Sequence, residues 1–293
     1  MNKEVAAMRS MECGDYVNSC SDAVPERASR FREVSEREQS LVRAIVVLVF
    51  LMNIPYGRYL LYPFMIFSTW VHEMCHGMAA VIVGGGVSEI YVYGDGSGLC
   101  YSRVSDGPLL PYHLKRAFVA SAGYMGTALI GGVLLLFRRT RRGPRRGLAV
   151  YSFVILLSCA LWIRNQFGIV ALILIGIALG LCSWKLPAER VGELYAFLSA
   201  TCCLNAVDSI WGLFNERDTY VGGEESNTDA ETVAEYLFPP YWLWAVIWFV
   251  FALVMLFMGL IFAPNPSEGP PSAPYEEENS TAKERISYPV HIV

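Results

Sequence analysis

Apolar residues dominate the chain after residue 40 and fall into seven segments separated by short polar stretches. The segments cover approximately residues 41–55, 59–84, 113–137, 148–163, 166–184, 187–214 and 241–263. A helix needs about 20 apolar residues to cross a bilayer, and most of these segments approach that length. The pattern predicts an all-α polytopic membrane protein, a bundle of about seven transmembrane helices that lies in the lipid bilayer.

One stretch departs from the helical pattern. In residues 87–105, VSEIYVYGDGSGLCYSRVS, β-branched and aromatic residues alternate around Gly94-Asp95-Gly96. This predicts a short β-hairpin directly after the second helix. An exposed edge of such a hairpin can take up an extended peptide by strand addition. A simple surface hairpin fits the same residues, and the sequence does not separate the two.

The polar regions divide the chain into three parts. Residues 1–40 are charge-mixed and predict a juxtamembrane segment, 41–263 form the transmembrane domain, and 264–293, rich in Pro, Ser and Glu, are typical of a disordered tail. Residues 215–240 are acidic and polar and predict a loop or lid outside the membrane. The sequence indicates neither an oligomeric state nor an organelle.

Composition supports the membrane assignment and excludes other classes. Hydrophobic residues make up 54% of the chain and the mean hydropathy is +0.37, whereas the net charge of -4 is small. Nothing in this composition supports nucleic-acid binding. The eight cysteines include no C-x-x-C pair, so we expect no disulfide framework.

Membrane orientation stays open. A dense basic run at 138–146 favours a cytosolic loop after the third span. Four arginines close to the first span argue for the reverse orientation: Arg30, Arg32, Arg37 and Arg43.

The second apolar segment contains an H-E-x-x-H motif at His72, Glu73 and His76. On a helix the two histidines are one turn apart and share a face. Their imidazoles can bind one divalent metal, and the adjacent Glu73 can reach a water on that metal. A chance match, or a histidine pair satisfied within the bundle, is the alternative. Ionisable groups at the middle of a membrane are costly and mark functional sites, which favours a metal site.

A catalytic zinc site usually takes three protein ligands and one water. Apart from Glu73, Asp208 is the one acid deep in the apolar segments. We therefore expect Asp208 to be the third ligand, with Asn205 one helical turn away beside the metal or the substrate. The alternative for Asp208 is a salt bridge or hydrogen bond elsewhere in the bundle.

Together these motifs resemble the site-2 protease clan of intramembrane zinc metalloproteases, in particular its compact branch without PDZ domains. The resemblance lies in His72–His76 within a span, the small-residue segment 122–126 in the next span, and the Asn/Asp segment in a late span. It implies Zn²⁺ as cofactor and places Gly123 and Tyr124 beside the ligands or the substrate. The chain departs from the common Leu-Asp-Gly pattern, since it has Val207-Asp208-Ser209.

The resemblance implies hydrolysis of peptide bonds in membrane-spanning protein substrates. Zinc would activate a water and polarise the scissile carbonyl, and Glu73 would take the water's proton and pass it to the leaving nitrogen. A second hypothesis is a catalytically inactive relative that acts as a regulator or binding partner of membrane proteins. A metal transporter is a third, but it requires further midplane ligands, and the sequence offers few.

Overall fold

The computed structural model describes residues 42–107, 110–138, 140, 142–215, 219–221 and 224–262. The predictions for the N-terminal segment 1–40 and for the tail 264–293 lie outside these residues.

The described chain is mostly helical. Its helices are α1 (Val42–Asn53), α2 (Gly57–Ile82), α3 (Tyr112–Phe137), α4 (Gly143–Leu161), α5 (Gln166–Lys185), α6 (Ala188–Asn215), α7 (Asp229–Tyr236) and α8 (Tyr241–Ile261). Two hairpins accompany them, β1 (Gly86–Val92) with β2 (Gly98–Arg103), and β3 (Thr219–Val221) with β4 (Glu224–Ser226). The predicted helical architecture and the hairpin after the second helix are confirmed.

Within the described residues, four helices are long and apolar enough to cross a membrane: α3, α4, α5 and α8. The count of seven spans is thus not confirmed. Helix α1 rises only about 18 Å at 1.5 Å per residue, which is less than the roughly 30 Å of a hydrocarbon core. Helices α2 and α6 are long, but polar side chains lower their hydropathy.

Local chemistry explains where the elements around the site begin. Tyr56, just before α2, has a positive φ of 66°, which turns the chain sharply from α1 into α2. Pro144 stands at the start of α4, where its missing N–H costs no hydrogen bond. Helix α7 begins with a capping box between Thr228 and Glu231.

Two apolar cores flank α2 and α3. The first contains α2 residues packed with α4, α5 and the hairpin, among them Phe67, Trp70, Ile90, Ile155 and Leu172. The second joins α3, α6, α7 and α8 through Ala117, Ala128, Ile210, Val233 and Trp248. The face between α2 and α3 therefore lies where the two cores meet.

The first hairpin packs along α2. Antiparallel pairing runs from Gly86 opposite Arg103 to Val92 opposite Gly98, and the turn is held by Asp95, whose Oδ1 accepts from the Ser97 amide at 2.8 Å. Thr69 on α2 donates to the Gly96 carbonyl at 2.7 Å. These bonds fix the hairpin against the helix that carries the histidines.

The outer edge of β1 is occupied. Ile90 N–H donates to the Trp162 carbonyl at 2.8 Å, and Arg164 N–H donates to the Ile90 carbonyl at 3.1 Å. The Asn165 side chain accepts from the Val92 amide. In the described structure β2 is paired only with β1, so the far edge of β2 is the one left for another strand.

Candidate metal centre

The histidines of α2 point at each other. The Nε2 atoms of His72 and His76 are 3.1 Å apart. His76 Nδ1 lies 2.7 Å from the Val119 carbonyl oxygen, and only a protonated Nδ1 can donate to that acceptor. In the neutral ring this leaves the lone pair on His76 Nε2, turned towards His72, as a metal ligand requires.

The carboxylate of Asp229 completes the group. Its Oδ2 lies 3.0 Å from His72 Nε2 and 3.2 Å from His76 Nε2. Asp229 is the first residue of α7, and the capping box of Thr228 and Glu231 fixes its position: Glu231 N–H donates to Thr228 Oγ1 at 3.2 Å, and Thr228 N–H donates to the Glu231 carboxylate at 2.9 Å. Two imidazole nitrogens and one carboxylate oxygen thus converge from two helices.

This donor set fits a zinc ion. Ligands about 2.0–2.1 Å from a tetrahedral ion lie roughly 3.3 Å from one another, close to the 3.0–3.2 Å between the three ligand atoms here. Two histidines and one carboxylate are also a donor set of catalytic rather than structural zinc sites, since the fourth position stays open. His72, His76 and Asp229 could hold such an ion.

The electrostatics agree with a charged carboxylate at this place. Burial by itself would raise the pKa of Asp229, but the adjacent His76 and His72 outweigh burial and hold that pKa well below its ordinary range. Nearby Cys100, on β2, behaves differently. Burial raises the pKa of its thiol to about 12, so it stays protonated and is a poor metal ligand.

Helix α3 forms one wall of the centre. Gly123 lies directly against the histidines, since a Cβ built there would collide with Nε2 of both His72 and His76. The ring of the next residue, Tyr124, packs edge-on to the His72 ring at 4.7 Å between centroids and stacks on Trp248 at 5.3 Å. The structure therefore places both Gly123 and Tyr124 beside the histidine pair.

The opposite wall is the hairpin. Glu73 is 5% exposed, and a Cβ at Gly98, the first residue of β2, would lie only 2.5 Å from its Oε1. Close approach of β2 thus depends on glycine at this position. The carboxylate of Glu73 lies between the histidine helix and the start of the strand.

These walls enclose a cavity of about 570 Å³. It is lined by His72, Glu73, His76 and Asp229, by β2 residues 98–102, and by Asn205 of α6. The three candidate ligands, the candidate base and the unpaired edge strand share one space large enough for an extended peptide segment.

Comparison with family models gives a direct match. Residues 41–259, about three quarters of the chain, match the model described as Peptidase M50B-like. The chain belongs to the Peptidase M50B-like family. The resemblance to site-2 proteases is confirmed at this level, and with its four apolar helices the chain is an integral, multi-pass membrane protein of a metalloprotease family. Comparisons with curated proteins and with solved structures gave no significant match.

Within this M50B-like chain the sequence-predicted residues divide into two groups. The structure brings together His72, Glu73, His76, Gly123, Tyr124 and Asn205 around the cavity. Asp208 belongs to α6, but its side chain lies outside the part of the structure that is described. Its role as a ligand stays a prediction.

Sequence reasoning missed Asp229, which lies in the acidic stretch interpreted as a loop or lid. That stretch includes α7, which packs on α3 and α8 through Ala230 and Val233. The available signal was Thr228-Asp229-Ala230-Glu231, a capping-box pattern that starts a helix. A carboxylate at the first turn of a helix docked beside the bundle is held firmly enough to be a ligand.

Proposed function

We propose that this chain is an intramembrane zinc metalloprotease that hydrolyses peptide bonds of membrane-spanning proteins. In this proposal His72, His76 and Asp229 hold the zinc, and Glu73 is the general base. The convergence of three ligand atoms within 3.0–3.2 Å of one another, beside a buried glutamate and an open cavity, carries the proposal.

Zinc bound there would supply Lewis acidity, which lowers the pKa of water and polarises a carbonyl. Glu73 takes the proton from the attacking water and delivers it to the departing amide nitrogen. The Val119 carbonyl, by accepting from His76 Nδ1, keeps the imidazole in the tautomer and orientation of a ligand. The packed ring of Tyr124 limits rotation of His72.

We propose that the free edge of β2 binds the substrate. A transmembrane helix keeps its carbonyls internally hydrogen-bonded, so the segment to be cut must first unwind. The free edge of β2 can then satisfy the exposed backbone by strand addition. Support comes from the position of β2, since its residues 98–102 line the same cavity as Glu73.

We further propose that α2 and α6 lie at membrane depth together with the four apolar helices, and that α1 enters the bilayer as the first of seven segments. Helix α2 is 26 residues long and α6 28 residues, which exceeds the length needed to span. Their polar side chains include Glu73, His76 and Asn205, which face the cavity rather than lipid.

Metal analysis of the purified full-length protein tests the ligand set. We expect one zinc per chain in the wild type and loss of that zinc in His72→Ala and Asp229→Asn. Asp208→Asn is the matched comparison, and it should keep the metal. Zinc lost from Asp208→Asn and kept by Asp229→Asn would instead assign Asp208 as the third ligand.

Cleavage of a membrane-anchored reporter tests the catalytic part. Glu73→Gln should bind zinc as the wild type does but abolish cleavage, because the amide cannot accept the proton. Retained cellular function of Glu73→Gln would contradict the protease assignment and indicate a binding or regulatory protein.

A further inference from the structure

Arg116 brings a positive charge to the cavity. It lies on α3 and lines the cavity that holds the candidate metal centre. Its Nε is buried and has no hydrogen-bond partner in the part of the chain that the structure describes. Arg145, by contrast, donates to the carbonyls of Ser183 and Leu186.

Arg116 is partly exposed, but its buried Nε–H has no acceptor among the described residues. A buried donor without an acceptor lowers the stability of the folded state. Among the lining residues that the structure describes, Arg116 is the one with a permanent positive charge. A carboxylate that accepts from this Nε–H would satisfy it with a charge-assisted hydrogen bond.

Position along the helices sets the distance from the reacting bond. Helices α2 and α3 are antiparallel here, because His76 contacts Val119 whereas His72, one turn earlier on α2, contacts the later residue Tyr124. Arg116 precedes Gly123 by seven residues, which is about 10 Å along α3 at 1.5 Å per residue. It therefore lies at the end of the cavity beyond His76.

Strand β2 runs parallel to α2, from Glu73 towards the end of the cavity that contains Arg116. It passes Glu73 at Gly98 and Gly77 at Cys100, and the cavity lining continues to Ser102. Ten ångströms correspond to about three residues of extended peptide at 3.3 Å per residue. A peptide paired with β2 would place its third or fourth residue from the reacting bond near Arg116.

The other end of the cavity is apolar. Its lining there includes Met52, Leu61 and Met65. Leu61 and Met65 precede His72 on α2 by two to three turns, on the side away from Arg116. The cavity thus has one apolar end and one end with a cation, with the candidate metal centre between them.

We propose that Arg116 is a specificity-determining residue that binds a carboxylate of the substrate. This rests on the proposed protease function. The preferred substrate has an Asp or Glu three to four residues from the scissile bond on one side and apolar residues on the other. A peptide side chain suits the position better than a lipid headgroup, because Arg116 lines the same cavity as the candidate catalytic group Glu73.

Binding to Glu73→Gln protein in nanodiscs of zwitterionic lipid tests this without requiring cleavage. The probes are labelled peptides of one extended sequence, each with a single Asp moved residue by residue along it, and their Asn counterparts. We expect one Asp position to bind about tenfold more tightly than Asn, as a charge-assisted hydrogen bond supplies. Adding Arg116→Gln should remove the difference, and Arg116→Glu should make Lys the preferred residue there.

Controls separate this role from a structural one. Arg116→Lys keeps the charge and should retain part of the preference, whereas Arg190→Gln, at an exposed ion pair on α6, should leave it unchanged. Zinc content should be the same in Arg116→Gln and in the wild type. Equal affinity for Asp and Asn peptides at every position overturns the proposal.

Two further outcomes are informative. Peptide affinity that depends on Arg116 only when anionic lipid is added would assign Arg116 to a lipid headgroup and overturn the substrate role. Arg116-dependent preference for Asp, with no cleavage of any reporter by the wild type, would instead contradict the protease function and leave Arg116 as an anion-binding residue.

Discussion

Gly123 determines how closely α3 can approach the histidine pair. A Cβ there would overlap the Nε2 atoms of both His72 and His76. Three residues on, a Cβ at Gly126 would lie 2.6 Å from Cys75 Sγ. Small residues thus let the backbone of α3 form a wall of the candidate metal centre, as close helix packing in membranes requires.

Gly123→Ala should therefore weaken zinc binding by about tenfold or more, in the range that perturbed ligand surroundings produce. The imidazoles must rotate away from the added methyl group, and they then no longer converge with Asp229. Zinc content after dialysis against a chelator of known affinity measures the effect. Gly192→Ala is the matched control, because a Cβ there meets nothing within 4 Å. Wild-type zinc affinity in Gly123→Ala would contradict the arrangement.

Among the residues of the candidate site, the sequence predicted those whose position is determined by local spacing. The pair His72 and His76 follows from helical periodicity, and Glu73 follows from its place in the motif. Asp229 is separated from them by more than 150 residues, and no periodicity connects it to α2. Only the docking of α7 on α3 makes it a candidate ligand, and docking depends on tertiary packing rather than on local sequence.

Helix α7 is the element that delivers Asp229. It is only 8 residues long, and helices this short are not stable alone. Its capping box and the burial of Ala230 and Val233 against the second core hold it in place. The position of the candidate third ligand, Asp229, thus depends on the capping box at the start of α7.

Thr228→Ala removes the side chain that accepts from the Glu231 amide. Loss of an N-cap costs about 1 kcal/mol, and we expect zinc affinity to fall by up to about fivefold while every ligand is still present. Thr228→Ser keeps the hydroxyl and should bind zinc as the wild type does. Competition with a fluorescent zinc chelator gives both affinities. Identical values for Thr228→Ala and wild type would show that α7 is held by packing alone.

Strand β2 is the second element that forms the site. Gly98 allows the strand to lie directly against Glu73. On the opposite side of the hairpin, β1 is held by backbone hydrogen bonds with Trp162 and Arg164. The alternation around Gly94-Asp95-Gly96 was sufficient to predict the hairpin. Its pairing with a segment between α4 and α5 was not predictable, because that contact is one isolated bridge from Ile90 to Ile163.

Gly98→Ala should lower reporter cleavage at least about tenfold and leave zinc content unchanged. The added methyl group would meet the Glu73 carboxylate and Thr69, so either the base or the strand must move, and small displacements of catalytic groups are expensive. Gly86→Ala on β1, where a Cβ has open space, should cleave normally. Normal cleavage by Gly98→Ala would argue against this strand as part of the active site.

At the scale of the whole molecule, the candidate metal centre lies between two packing units. The histidines are on α2, whose apolar side belongs to the first core, and Asp229 is on α7, which belongs to the second. The apolar spans α3, α4, α5 and α8 were predictable from hydropathy alone. Hydropathy could not predict that the two cores associate. That association depends on polar groups of several helices, which meet only in the folded bundle.

A ligand bridging two units stabilises their association, since it binds the folded state and not the separated one. Removing zinc with a chelator should therefore lower the thermal stability of the detergent-solubilised protein. Saturation at about 100 times Kd contributes roughly 2.7 kcal/mol, which corresponds to a fall in Tm of about 4–6 °C for a chain of this size. Glu73→Gln, with all ligands intact, should show the same fall.

Asp229→Asn should start at the lower Tm and respond little to the chelator, because its two units are no longer joined through the metal. A full response in Asp229→Asn would mean that the stabilising metal is bound elsewhere.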